Sequence, residues 1–382
     1  MPHEEFRSVA YCPRKETEIA VNAKTFRYWT HIVLTLGLLL FSGQAMANTI
    51  TQNSSWTIDR PNTSTKYQVV SYGDSIYAGY QGSLSDVAKR AATLVQGEYL
   101  SNAWGTDIEV IRRTKSGAKA DDIYNNKIVG EKSYMQSSSA KVVAFEMCGN
   151  DFLQARSSFA GQSGTCDLSV IQNALTQCTK YQELGMQAIN QYATSAKVKM
   201  IMNIYYPGYD SDNGQSSCTV NGATINKRDG FLPYLARSNW RACDFAKKYG
   251  FKCVDSFAEF MGADYDSNND GQIDSEALRW SATETEDQYV ARITTTLKST
   301  LRDANGHLAD PSTSYDYLQS DNTHPTFTGS TIYVGFFGGT GTGSGAPEYS
   351  GGQIVNGKNP VYNKYGHERA GWAHSLLNPA SP

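Results

Sequence analysis

The apolar positions of this chain fall into short unbroken runs separated by longer stretches of helical spacing. Tyr67 to Ser71 (YQVVS) is one such run, and it stops at Gly73-Asp74-Ser75, the pattern of a buried strand ending in a sharp turn. Asp107 to Arg112 (DIEVIR) alternates like a second strand. Lys141 to Met147 (KVVAFEM) reads as a third, stopping at Cys148-Gly149-Asn150-Asp151. Val198 to Ile204 (VKMIMNI) is a fourth and Phe251 to Val254 a short fifth. Helical patterns occupy Ala120 to Ile128, Asp167 to Tyr192 and Tyr234 to Lys248. In the longest, Leu168, Ile171, Leu175, Cys178, Leu184 and Ile189 recur near helical spacing, and Asp167 is placed to cap it. Strands alternating with helices predict an α/β chain with a parallel sheet covered on both faces.

Three stretches fall outside that alternation. Asn48 to Lys66 reads as a polar lead-in, and Tyr206 to Asp229, rich in Asp, Ser, Asn and Gly, as a surface excursion. Gly335 to Gly352 is rich in Gly, Thr and Ser, but it matches neither a dinucleotide fingerprint nor a phosphate loop. Lys364 to Leu377 reads as a terminal helix packing Trp372 and Leu376.

The N-terminus has a different character. Ile32 to Phe41 (IVLTLGLLLF) carries no charge, is preceded by Arg27 and other basic residues, and is followed by Ala45-Met46-Ala47. Such a run is shorter than the roughly 20 residues a bilayer requires. It reads as a signal peptide over residues 1–47, leaving one elaborated domain over 48–382 with insertions at about 206–229 and 260–285. The mature product is expected to be exported, to the periplasm or outside the cell, with no integral membrane segment. With 34 basic against 37 acidic residues in the full chain, a nucleic-acid partner is not expected.

Cysteine usage agrees with export. Cys12 leaves with the leader; Cys148, Cys166, Cys178, Cys218, Cys243 and Cys253 remain, an even number with no CxxC pair and no histidines at zinc-ligand spacing. Three disulfides are expected, of unassigned connectivity; buried free thiols are the alternative.

Candidate chemistry gathers where strands stop, because parallel sheets present ligands at the carboxyl edge of their strands. Ser75, at the start of a helix after a strand, has a backbone N–H free to donate to an oxyanion. The amide of Asn150 projects from a second strand end and can donate likewise; capping the following helix is its alternative role. In Asp321-Asn322-Thr323-His324-Pro325 a carboxylate stands three residues before an imidazole, which it can orient. His307, His367 and His374 lack an Asp at that offset.

Together, GDSIYAGY, the isolated Gly117 in RTKSGAKADDI, CGND and DNTHP resemble, in order, the four sequence blocks of the SGNH (GDSL-type) hydrolases. The opening block is most like that of secreted thioesterase and lysophospholipase members, and the resemblance spans Tyr67 to Thr328. It implies a three-layer α/β/α sandwich with a flavodoxin-like sheet. Ser75 would be the nucleophile, His324 its base, and Asp321 the residue holding the imidazole. The oxyanion donors would be the N–H groups of Ser75 and Gly117 and the amide of Asn150. Cys148 departs from the family pattern, standing where the third block has a glycine.

The implied activity is hydrolysis of carboxylic esters, with lipid acyl or lysophospholipid esters as substrate. Carbohydrate O-acetyl esters are the rival, and a non-catalytic binding protein on the same scaffold is a third reading. No cofactor is expected for catalysis. Asp266, Asn268, Asp270, Gln272, Asp274 and Glu276 outline a calcium-type loop with turn glycine Gly271, but Ala277 stands where a bidentate Glu belongs. A structural Ca2+ there, or an acidic surface turn, are the two readings.

Overall fold

The computed structural model describes residues 49–60, 63–83, 86–87, 92–205, 216–261, 278–297, 323–324, 348–350 and 353–355. All of them belong to one unit spanning Thr49–Pro382. The signal-peptide run, the calcium-type loop, Asp321, most of the glycine-rich stretch and the expected terminal helix lie outside the described residues.

The central sheet has six strands: β1 (Ile50–Ile58), β2 (Lys66–Gly73), β3 (Asp107–Ser116), β4 (Ala140–Phe145), β5 (Val198–Met202) and β6 (Lys252–Val254). Their spatial order is β1-β3-β2-β4-β5-β6. β2 through β6 are parallel, in the flavodoxin-like order, while β1 runs antiparallel along the edge of β3. Helices α1 (Ala92–Trp104), α2 (Gly149–Ala160), α3 (Ser169–Tyr192), α4 (Lys227–Tyr249) and α5 (Glu286–Leu297) complete a three-layer α/β/α fold. Among the described residues no helix is long and apolar enough to cross a membrane.

Burial explains which strands were visible in the sequence. From Val69 on, every residue of β2 is buried, as is β4 except at Lys141, because each strand is flanked by two others and covered on both faces. β1 is different. Its ITQNSSWTI sequence is half exposed and polar, as an edge strand tolerates, so the expected lead-in is in fact paired. Gly97 of α1 has no room for a Cβ against the Val110 side chain, which lets the helix lie close to β3.

The second excursion also carries more structure than expected. Ser217–Val220 and Ala223–Asn226 form a hairpin, and α4 begins at Lys227 rather than Tyr234, accommodating Pro233 within it. Asn226 caps α4 by accepting from the Arg228 N–H. A disulfide, Cys166–Cys218, ties the hairpin to the segment between α2 and α3, and Cys243–Cys253 joins α4 to β6. Cys148 and Cys178 remain buried thiols, so two of the three expected bridges are present. Glu348–Ser350 and Gln353–Val355, at the end of the glycine-rich stretch, pair as a small hairpin. Asp167 does not sit at the cap position of α3, which falls to Leu168, but its carboxylate accepts from the Ser169 N–H and hydroxyl.

Candidate active site

At Gly73, the last residue of β2, the carboxyl of Glu146 occupies the space a Cβ would need. The next residue, Asp74, starts the helical turn Ser75–Ala78 by accepting from the Ile76 N–H at 2.9 Å. Gly79, at φ 80°, stops that turn, and Arg112 of β3 donates to the Ala78 carbonyl at 2.6 Å. Ser75 is thereby held at the rim of the sheet, buried to 5% exposure. His324 Nε2 lies 2.8 Å from Ser75 Oγ, across 249 residues of sequence.

Two tyrosines that the sequence did not single out hold the turn bearing this imidazole. The Tyr80 ring stacks on His324 with centroids 3.8 Å apart and planes inclined by 19°. The Tyr205 hydroxyl donates to the Thr323 carbonyl. Tyr80 closes GDSIYAGY and Tyr205 follows the β5 run, so strand-end position was the available signal.

The opposite wall is laced together from three strand ends. Cys148, at φ 84°, precedes α2 in the left-handed region, a conformation costing a non-glycine residue on the order of 1 kcal/mol. Asn150, inside the first turn of α2, is not the helix cap. Its Nδ2 donates to Asp74 Oδ2 at 2.9 Å and to the Ala118 carbonyl at 3.0 Å. An amide NH2 has two hydrogens, so a substrate oxygen bound there must replace one of these acceptors. Gly117 ends β3 in a left-handed turn at φ 78°, where only glycine is free of strain. Asp151 accepts from the Ala120 N–H at 2.9 Å and so fastens that turn to α2.

Buried charge shapes the site. Burial and the facing Asp74 charge push Glu146 well above the usual carboxylate range. Asp74 is also raised by burial, against the lowering pull of the Ile76 N–H, His324 and the Glu146 and Asn150 side chains. The two form a pair in which Glu146 keeps the proton. Asp151 is pushed up to about 7 by burial, despite its bond from Ala120. Neither Glu146 nor Asp151 was among the candidates; an acidic residue closing the buried run KVVAFEM was the signal for Glu146.

Ser75, Asn150 and His324 open onto a cleft lined also by Asp74, Glu146, Gly149 and Thr323, and on its apolar side by Ile76, Met147, Leu153, Ile204 and Tyr205. The end of β5 is fixed for this purpose by buried amides. Asn239 accepts from the Ile204 N–H and donates to its carbonyl, while Asn203 donates to Asp255 at 2.7 Å.

No protein-family model matches the chain, and no curated protein matches it. Among solved structures it is similar to a lipase from goat rumen metagenome, at 15% identity and TM-score 0.45, covering 70% of this chain and 93% of that one. It is also similar to phospholipase A1 from Streptomyces albidoflavus, at 18% identity and TM-score 0.35 over 60% and 94% of the two chains. An acetylxylan esterase from Geobacillus stearothermophilus aligns at 14% identity and TM-score 0.37, covering 70% and 90%.

Proposed function

We propose that this chain is an exported serine esterase of the SGNH (GDSL-type) class, with Ser75 as nucleophile and His324 as general base. The observation carrying this reading is the 2.8 Å contact between His324 Nε2 and Ser75 Oγ. An unassisted serine hydroxyl is a poor nucleophile, so a base within hydrogen-bond reach must take its proton as it attacks. The ester carbonyl then becomes a tetrahedral oxyanion. The N–H groups of Ser75 and Gly117 and the amide of Asn150 are assigned to stabilise it, each preorganised donor being worth about 3 kcal/mol of barrier. His324 returns the proton to the leaving alcohol, and water, activated by the same imidazole, releases the acid. Asp321 is assigned to hold the imidazolium that forms in each step.

The substrate reading is an acyl ester with a chain longer than acetyl. The apolar wall of Ile76, Met147, Leu153 and Ile204 favours it, because burying methylenes there contributes about 0.8 kcal/mol each. The test is a panel of p-nitrophenyl esters from acetyl to long-chain, with Ser75→Ala as control. Loss of turnover and of fluorophosphonate labelling in that variant, with the fold intact, is expected. Retained turnover would remove Ser75 as nucleophile, and activity confined to acetyl would defeat the lipid reading.

A further inference from the structure

The third cysteine pair has a placement that packing alone does not account for. Cys148 occupies a left-handed backbone position, where glycine would fit without strain. Its side chain is fully buried, as is that of Cys178 in the middle of α3. The sulfurs lie within 4.8 Å of one another. Burial of this small side chain contributes about 0.8 kcal/mol per methylene, which at most offsets the left-handed strain. A covalent bond to Cys178 is something glycine cannot make. The other four described cysteines are already joined in two bridges, so the fold suits an oxidising compartment.

We propose that Cys148 and Cys178 close a third disulfide while the chain folds, tying the turn that carries Asn150 to the middle of α3. The bridge anchors the backbone two residues before Asn150. It thereby limits how far that amide shifts as it exchanges an acceptor for substrate.

The chemistry is thiol–disulfide exchange. One cysteine thiolate attacks a disulfide of the oxidant, a dithiol oxidase in the cell or oxidised glutathione in the tube, and expels one thiol. The second cysteine then attacks its partner's sulfur in the mixed disulfide and expels the other. Two electrons pass to the oxidant, and the two cysteine protons end on its thiols. Closure belongs to folding rather than to the finished protein. Once packed, both thiols are sealed from solvent and burial raises them, Cys148 to about 11, so little thiolate exists to react.

The test uses the full chain, refolded from the reduced, denatured state with a glutathione redox pair. It is then denatured, alkylated with iodoacetamide and digested. The expected result is that Cys148 and Cys178 escape alkylation, and that a cross-linked peptide pair containing them collapses on reduction. Alkylation of both residues in the oxidatively folded protein would overturn the proposal. So would one equivalent of zinc bound at Cys148, Cys178 and the adjacent Asp151, whose ligand atoms share the same 4.8 Å cluster. These readouts are masses, so they stand whatever the esterase assay returns.

Discussion

Glu146, just past β4, and Asp74, in the turn that carries Ser75, are two buried carboxyl groups bonded to each other. The Glu146 carboxylic group also accepts from the Asp74 N–H, so one side chain both fixes the backbone before the serine and faces its neighbour's charge. Asp74 in turn reaches Asn150 and the Ile76 N–H. The Ser75 turn and the opposite wall thus share a single proton-bearing hub.

Glu146→Gln should therefore be mild and Glu146→Ala severe. The amide keeps a neutral acceptor and donor in the same shape, so kcat/KM at neutral pH should stay within a few-fold of the parent. The alanine variant leaves Asp74 without its buried partner and should lose ten-fold or more, in line with about 1–3 kcal/mol for an orphaned buried group. Because the Glu146 pKa is raised in the fold, its contribution to stability is complete at low pH and lost as pH rises toward its folded value. The glutamine variant should consequently outlast the parent at alkaline pH, as read from melting temperature against pH.

Asp151 gives a second pH dependence at milder values. Its pKa rises from 3.8 to about 7 on folding, through burial, with Asp121 adding to the rise and Ala120 and Lys119 opposing it. The folded chain then binds more protons than the unfolded one between those values, so stability falls as pH rises through that window, by up to about 1.4 kcal/mol per unit. Asp151→Asn keeps an acceptor for the Ala120 N–H and removes this loss. Urea midpoints for both proteins at about pH 5 and pH 8 should show the smaller decline in the variant. Glu146 contributes equally to both and cancels.

Tyr80 positions the imidazole through its face. Tyr80→Phe preserves the stack and should leave kcat near the parent value. Tyr80→Leu should lower kcat about five-fold with KM little changed, given roughly 1 kcal/mol for such a ring pair. Steady-state kinetics on both variants check this, with the phenylalanine variant separating the contribution of the ring from that of its hydroxyl.

Gly73→Ala should destabilise the protein by a few kcal/mol, because the new methyl must displace the buried Glu146 carboxyl. A fall in melting temperature that Glu146→Gln does not relieve, but Glu146→Ala partly does, would identify that collision as the cause.

The doubly covered strands were legible because burial on both faces leaves β2 and β4 as unbroken apolar runs, as in VV and VVAF. Turn residues then located Ser75 and Asn150 at strand ends, and an aspartate three residues before an imidazole singled out His324. β1 and the hairpin at Ser217–Asn226 were not legible, since exposed strands composed of Ser, Thr and Asn resemble loops. The start of α4 was hidden by Pro233 within its first turns. The hub of Glu146 and Asp74 escaped notice for another reason: pairing between residues 72 positions apart leaves no local periodicity. Cysteine connectivity was closed to sequence in the same way, since six cysteines allow about fifteen pairings.

The base of the proposed reaction arrives 249 residues after the serine it touches. A nascent polypeptide halted anywhere before His324 therefore holds its hydroxyl with nothing to deprotonate it. On the proposed mechanism such a chain cannot cleave an ester until the segment carrying His324 has been synthesised, a delay set by the order of residues alone.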